Sequence, residues 1–319
     1  MSSKIVFLDR ETIPAHININ RPNLSHLWVE YPYTSADQVI ARSQDAEVII
    51  TNKVVLDQTV LKACPKLKLV VVAATGTNNI DLKSCNQLGI AVYNITHYAN
   101  QGVPEHALML MLALAKNLIA YDQDVRQGQW QQANQFCFTD HKIQNLAGKT
   151  LGIIGAGALG QNMAQLGQAL GMKVLISEHK GQRVIRKGRV SFYDVIAQAD
   201  FISLHCPLTE QTSKLFSEEE FIAMKATAYL INTARGPLVD ESALVTALLT
   251  KQIAGAATDV AATEPLQNNS PLNQLLHLPN FIMTPHIAWA SDESLANLCQ
   301  QLISNIDGFY QGSPHNRVI

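Results

Sequence analysis

The sequence has no block of Lys and Arg, no cysteine pair at metal or redox spacing, and no apolar run of membrane-spanning length. With a net charge of −2 and a pI near 6.5, it lacks the electrostatic footprint of a nucleic-acid binder or of a protein held on an anionic membrane, which favours a small-molecule partner. The five cysteines, Cys64, Cys85, Cys137, Cys206 and Cys299, are odd in number, widely spaced and without CxxC. That pattern argues against disulfides and a metal site, and for free thiols in a reducing compartment, the cytoplasm. The opening stretch MSSKIVFLDR has a short apolar run broken by Asp9 and Arg10, so it reads as a first strand and not as a signal peptide. No internal repeat or low-complexity segment breaks the chain, and 319 residues suffice for two domains, each with its own core.

Short apolar strands alternate with amphipathic stretches. KIVFLD, LWVEY, AEVIITN, LKLVVVAAT and IAVYN form a first series, with the helical stretches DQVIARS and DQTVLKA between some of them. Alternation of this kind implies parallel strands joined by crossover helices. After Tyr98 the pattern changes: PEHALMLMLALAKNLIAYDQDVRQGQW reads as one long, mostly apolar helix with Pro104 at its start. A second series follows, KTLGII, KVLIS, DFISL, AYLIN, IAGAATD and FIMT, which predicts a second open, doubly wound sheet. The last stretch, SDESLANLCQQLISNIDGFY, predicts a helix capped by Ser291 that returns to the first domain. The expected organisation is therefore α/β with two doubly wound parallel-sheet domains, residues 1–100 plus 291–319 forming one and residues 101–290 the other.

The second series contains GIIGAGALG, in which Gly155, Gly157 and Gly160 give GxGxxG between a strand and a helix. A glycine turn by itself is weak, because such turns are common. Here the strand, the helix and an acid, Glu178, about twenty residues on at the end of the next strand, all match a dinucleotide cradle. Ligands in open α/β sheets bind beyond the carboxyl ends of the strands. Those ends carry Glu178, then His205, Cys206 and Pro207, then Thr233 and Arg235, then Asp259, then His286. Strand-end loops are polar by default, so the convergence carries weight where no single residue does. The loop DVAATEPL adds Glu264, five residues beyond Asp259.

Taken together, LGIIGAGALG, LHCPLTEQT, LINTARGPLVDESAL, DVAATEP and TPHIAWA resemble the successive signatures of the D-isomer-specific 2-hydroxyacid dehydrogenases, in order and spacing, over nearly the whole chain. Within that family the sequence is most similar to the glycerate dehydrogenase/hydroxypyruvate reductase branch. The resemblance implies a Rossmann domain inserted into a flavodoxin-like substrate domain. It also implies NAD(H)-dependent interconversion of hydroxypyruvate or glyoxylate with the D-2-hydroxy acid, glycerate or glycolate. A D-3-phosphoglycerate or D-lactate type dehydrogenase is the alternative reading. The first of these is disfavoured because the chain ends soon after its returning helix, leaving no room for a regulatory extension, and shows no added basic cluster for a substrate phosphate. A dinucleotide-sensing protein like the transcriptional corepressors of the same family is an alternative of another class. A homodimer is expected.

The resemblance also implies roles. Arg235 grips the 2-oxo acid with its planar fork, His286 gives a proton to the carbonyl oxygen, and Glu264 bonds and orients that imidazole. Asp259 faces the nicotinamide carboxamide. The dinucleotide contacts are assigned to Gly155, Gly157, Ala158, Leu159, Gly160, Glu178, Cys206, Pro207, Thr212, Thr233, Ala234, Asp259 and Ala288, and the substrate contacts to Thr75, Gly76, Arg235 and His286. Asn78 lies near the substrate loop, and Lys53 is a further polar candidate. His106 is taken as structural. Trp130, Phe136 and Phe138 fit core packing, a partner subunit or a roof over the site, and Trp289 has no assigned role. Glu178 stands where many NAD-binding members carry Asp. A carboxylate there opposes the 2′-phosphate of NADP more than flexible cations such as Lys180 and Arg183 attract it, so NAD is the expected cofactor.

Overall fold

Stretches such as VIIT and LVVV are rich in β-branched side chains with no polar alternation, the pattern of strands covered on both faces. The computed structural model describes residues 2–313 and 315–319. Its chain divides into two compact units, Met1–Ala99 with Ala290–Ile319, and Asn100–Trp289. The first unit holds a parallel sheet built from β1 (Ser3–Phe7), β2 (His26–Glu30), β3 (Val48–Thr51), β4 (Leu69–Val72) and β5 (Ala91–Tyr93), in the order β2-β1-β3-β4-β5. Every residue of β3 and β4 is buried, each large apolar side chain contributing roughly 1.5–3 kcal/mol. The helices α1 (Val39–Ser43), α2 (Gln58–Lys62) and α3 (Leu82–Leu88) lie between strands. Asp57 and Asp81 cap α2 and α3 by accepting from the Val60 and Ser84 amides.

The second unit starts with α4 (Gly102–Lys116) and α5 (Leu118–Arg126). The single long helix expected from the apolar run is therefore two. Asn117 between them adopts φ 51°, in the left-handed region, and the helix axes differ by 62°. Asparagine enters that region more readily than most residues, and its Nδ2 donates to the Lys142 carbonyl at 2.6 Å. Apolar periodicity continues across the break, so the pattern gave no sign of it. Among the described residues no single helix is long and apolar enough to cross a membrane.

The rest of this unit alternates β6 (Thr150–Ile154), α6 (Ala158–Ala169), β7 (Lys173–Ile176), α7 (Phe192–Gln198), β8 (Phe201–Leu204), α8 (Glu218–Ala223), β9 (Tyr229–Asn232), α9 (Glu241–Leu249), β10 (Gly255–Thr258) and β11 (Phe281–Met283). All the strands pair in parallel in the order β11-β10-β9-β8-β6-β7. Outside β7 a single parallel bridge, Ser177 to Val190, continues the sheet by one residue. The winding reverses between β6 and β8, the switch point at which open α/β sheets bind their ligands, in the crevice beyond the carboxyl ends of the strands. The small residues of β10, GAAT, are all buried, and α4 packs across β9 and β10 with Ala107, Leu110, Met111 and Leu114 in one core with Ile231 and Ala257. Back in the first unit, the chain closes with α10 (Asp292–Gln311), capped by Ser291 and packed on β4.

Candidate active site

The turn from β6 into α6 is shaped by close backbone approach. Gly155 has φ +100°, and a methyl group there would lie 2.6 Å from the Cys206 nitrogen and the His205 carbonyl carbon; one at Gly160 would lie 1.9 Å from the Gly155 carbonyl oxygen. Only glycine allows both contacts. At Gly157, the N-cap of α6, a methyl group would meet nothing within 4 Å, so this glycine faces open space. The amides of Ala158, Leu159 and Gly160 open the helix and, as first-turn amides, have no acceptor in the preceding turn. An open glycine edge below these amides fits the pyrophosphate of a dinucleotide.

The loop after β8 packs against this turn. Thr212 fixes it, its hydroxyl donating to the Pro207 carbonyl at 2.7 Å and accepting from the Thr209 amide at 2.7 Å. His205 is buried there: its Nε2 shares a 2.9 Å bond with Ser203 Oγ, and its Nδ1 has no partner among the described residues. Burial pushes this imidazole down to about 4. Thr233, at the end of β9, is also buried with its hydroxyl unpartnered, so two polar atoms without partners lie beside the crevice.

β9, β10 and β11 are neighbours, with Asn232 opposite Thr258 and Thr258 opposite Met283. The residues just beyond them are therefore delivered to one edge. Asn232 shapes the loop after β9, its Nδ2 donating to the Arg235 carbonyl and its Oδ1 accepting from the Ala234 amide. A methyl group at Gly236 would lie 2.0 Å from the Ala261 carbonyl, so the Arg235 loop lies directly on the loop bearing Glu264. The Arg235 side chain is exposed and donates from Nη1 to the Ala234 carbonyl. Glu264 Oε1 accepts from the Ala261 amide at 3.0 Å, while Oε2 meets His286 Nδ1 at 2.6 Å. His286 adopts φ 56° and its amide donates to the Asp259 carbonyl at 2.7 Å. Trp289 donates from its indole to the His286 carbonyl.

Asp259 is only 1 % exposed. Its Oδ1 accepts from Thr284 Oγ1 and the Ile287 amide, its Oδ2 accepts from the Ala288 amide at 2.8 Å, and His106 Nε2 stands 3.6 Å from Oδ1. The carboxylate thus clamps the loop that carries His286. His106, taken from the sequence as structural, bonds Thr284 Oγ1 at 3.0 Å, and burial pushes its imidazole down against the opposing pull of Asp259.

At the end of β7 the pairing of the charged residues is specific. Glu178 is 2 % exposed, and its partner is Arg186, which meets it through both Nε and Nη2. Lys180 turns instead to Glu220 at 2.7 Å, and Arg183 is exposed. The bidentate Arg186, with the His179 and Arg186 amides, holds the Glu178 carboxyl far below its ordinary range. Arg186 lies eight residues away in an exposed loop without periodicity, and nothing in the sequence marked it.

In the other unit, Thr75 donates its hydroxyl to the Ile95 carbonyl at 2.8 Å and Asn94 Nδ2 donates to the Thr75 carbonyl. The Thr75–Gly76 turn is therefore tied down through the Thr75 hydroxyl and carbonyl. The Lys53 amide donates to Asp9, a buried carboxylate that also receives the Asn52 and Val54 amides. Asn78 is exposed. Phe138 lies 5.5 Å from the Tyr121 ring, and the Trp130 indole donates to the Phe136 carbonyl. Among the described residues no group of His, Cys, Asp and Glu is arranged to hold a metal.

Residues 108–288 match the profile described as D-isomer specific 2-hydroxyacid dehydrogenase, NAD binding domain. A putative 2-hydroxyacid dehydrogenase from Haemophilus influenzae is 47% identical over 309 residues, covering 97% of this chain and 98% of that protein. The glycerate dehydrogenase of Methylorubrum extorquens is 44% identical over 319 residues, covering 100% of this chain and 99% of that one. Among solved structures, the TT0316 protein of Thermus thermophilus superimposes with a TM-score of 0.84 at 27% identity, over 99% of this chain and 100% of that one.

The buried His205 makes a pH prediction. Its ordinary value is 6.5 and the folded value about 4, so above pH 6.5 it is neutral in both states and contributes no pH dependence. Below pH 6.5 the unfolded chain takes up the proton first, and stability should fall by up to about 3 kcal/mol as pH drops from 6.5 to 4. Denaturant unfolding across that range should show this loss in the unmodified protein and a smaller one in His205→Asn. Parallel curves would count against a buried neutral imidazole.

Proposed function

The chain belongs to the D-isomer-specific 2-hydroxyacid dehydrogenases, and from that premise we propose that it reduces hydroxypyruvate or glyoxylate to the D-2-hydroxy acid with NADH. Interconversion of a 2-oxo and a 2-hydroxy acid with NAD is the family's reaction; the choice of substrate is the proposal. The bond between His286 and Glu264, beside the Arg235 loop on the sheet edge that also carries the glycine turn, is the observation that carries it. The relatives named above are dehydrogenases and give the dinucleotide-sensor reading no support.

When bound, the nicotinamide supplies a hydride to the carbonyl carbon. The remaining work falls to the chain. Arg235, whose fork matches a carboxylate and an adjacent carbonyl oxygen, binds and orients the 2-oxo acid, and the Thr75 and Gly76 amides are the proposed further carboxylate contacts. His286 donates a proton from Nε2 to the carbonyl oxygen, because Nδ1 is committed to Glu264. Glu264 keeps the ring in that orientation. Asp259 Oδ2 accepts one protein amide and has a lone pair left for the nicotinamide carboxamide. The glycine turn with Ala158 and Leu159, and the strand-end residues Cys206, Pro207, Thr212, Thr233, Ala234 and Ala288, complete the proposed dinucleotide contacts.

A homodimer and a cytoplasmic location belong to the same proposal. The segment after Asn117 exposes Leu118, Ile119, Trp130, Phe136 and Ile143, with Phe136 87 % exposed, more apolar surface in one stretch than a solvated loop carries. Cys64, Cys85 and Cys299 are free and buried, and burial pushes each up to about 11, which suits a reducing compartment. Sedimentation equilibrium at micromolar concentration should give twice the chain mass; a monomer would remove the dimer.

The substrate assignment is tested by NADH absorbance loss with a panel of 2-oxo acids. Hydroxypyruvate or glyoxylate should give the highest kcat/KM; a preference for pyruvate or for a phosphorylated 2-oxo acid would reassign the enzyme. In the same assay His286→Gln should lower turnover roughly 10²- to 10⁴-fold with NADH binding nearly intact, and comparable turnover would sink the proton-donor role. Arg235→Lys keeps the charge but loses the fork, so kcat/KM should fall well beyond about tenfold.

A further inference from the structure

The ribose end of the dinucleotide site holds an arrangement that neither the glycine turn nor the strand order implies. Glu178 Oε1 accepts from the His179 amide at 2.9 Å and from Arg186 Nη2, while Oε2 accepts from Arg186 Nε at 2.7 Å and from the Arg186 amide at 3.2 Å. A carboxylate offers about four lone-pair directions, and here four N–H donors of its own loop occupy them. Arg189 Nη1 stands a further 3.9 Å from Oε1. The carboxylate is buried, whereas the Arg186 side chain is 53 % exposed. Two of the five guanidinium N–H groups are used on Glu178, which leaves three for another acceptor.

We propose that Arg186 sets the cofactor selectivity of this chain: by closing on Glu178 it cancels the carboxylate's charge, so that the site admits NADP as well as NAD. The inference rests on the reading of residues 155–160 as a dinucleotide cradle. An unpaired carboxylate at this strand end favours NAD twice over, by accepting from the ribose hydroxyls and by repelling a 2′-phosphate. Pairing with Arg186 weakens both effects. The lone pairs that the hydroxyls would use are occupied, and the negative charge is matched by a guanidinium whose free N–H groups suit a phosphate oxygen. The cations Lys187 and Arg189 flank the pair in sequence. NAD remains a cofactor; the exclusion of its phosphorylated form is what the pair removes.

Calorimetric titration of the full chain with ADP-ribose and with 2′-phospho-ADP-ribose tests this without turnover. The unmodified protein should bind the two fragments within about tenfold of each other. Arg186→Ala removes the bidentate guanidinium, leaving the carboxylate only two backbone amides and Arg189 at 3.9 Å, and should weaken the phosphorylated fragment at least about tenfold more than the plain one. Glu178→Gln removes the opposing charge, frees Arg186 and should strengthen the phosphorylated fragment relative to the plain one, and it carries the test if Arg186→Ala does not fold. A preference beyond tenfold for ADP-ribose in the unmodified protein overturns the proposal. So does an unchanged ratio in the variants, which is what an Arg186 that merely holds its loop would give. Failure of the unmodified protein to bind either fragment would instead remove the dinucleotide reading, and the proposal with it.

Discussion

A buried carboxylate organises the edge of the second sheet on which the proposed site lies. Asp259 follows β10, in the middle of three adjacent strand ends, where an unsatisfied charge would cost several kcal/mol. Its requirement for donors is met by the loop after β11: Thr284, Ile287 and Ala288 all turn a donor toward it. Because three donors in five residues point inward to one group, the backbone between them has little freedom. His286 lies in that span with a positive φ, a conformation that a free loop would seldom hold. The electrostatic need of one side chain thus fixes the position of another, and Glu264 then has only to orient a ring whose backbone is already placed.

Close backbone approach supplies the second constraint. Gly155 lets the turn after β6 lie on the strand end of β8, and Gly236 lets the Arg235 loop lie on Ala261. Any side chain at either place would separate two loops by more than a carbon radius. The glycine motif and the NTARG motif therefore do the same physical work at different strand ends. One brings the helix amides to the crevice, and the other brings Arg235 next to the loop of Glu264.

The sequence disclosed the strands because buried parallel strands are continuous apolar runs, and it disclosed the strand-end residues because winding order sends them to one edge. Both are properties of local pattern. What stayed hidden depended on pairings between distant residues. The apolar period runs through Asn117 without interruption, so the bend after α4 was unreadable; it takes the Lys142 carbonyl, twenty-five residues on, to hold that asparagine. Near Glu178 the sequence offered several cations, and Lys180 and Arg183 were weighed as contacts for a 2′-phosphate. Lys180 pairs instead with the buried Glu220, and the more distant Arg186 closes on Glu178. The inward turn of Asp259 was hidden for the same reason, since its partners belong to another strand's loop.

These pairings share an electrostatic consequence. Along the sheet edge the acids are used within the protein: Glu178 by Arg186, Asp259 by three donors of the 284–288 loop, and Glu264 by His286 and the Ala261 amide. The Arg235 side chain is exposed, pairs with no acid among the described residues and donates to the neutral Ala234 carbonyl. A chain of net charge −2 thereby offers a positive group at the edge proposed to receive an anionic 2-oxo acid. The field arises from how charges are paired and not from how many there are. A nearly balanced composition therefore says little about an anionic small-molecule substrate, because local pairing and not net charge sets the field at one edge.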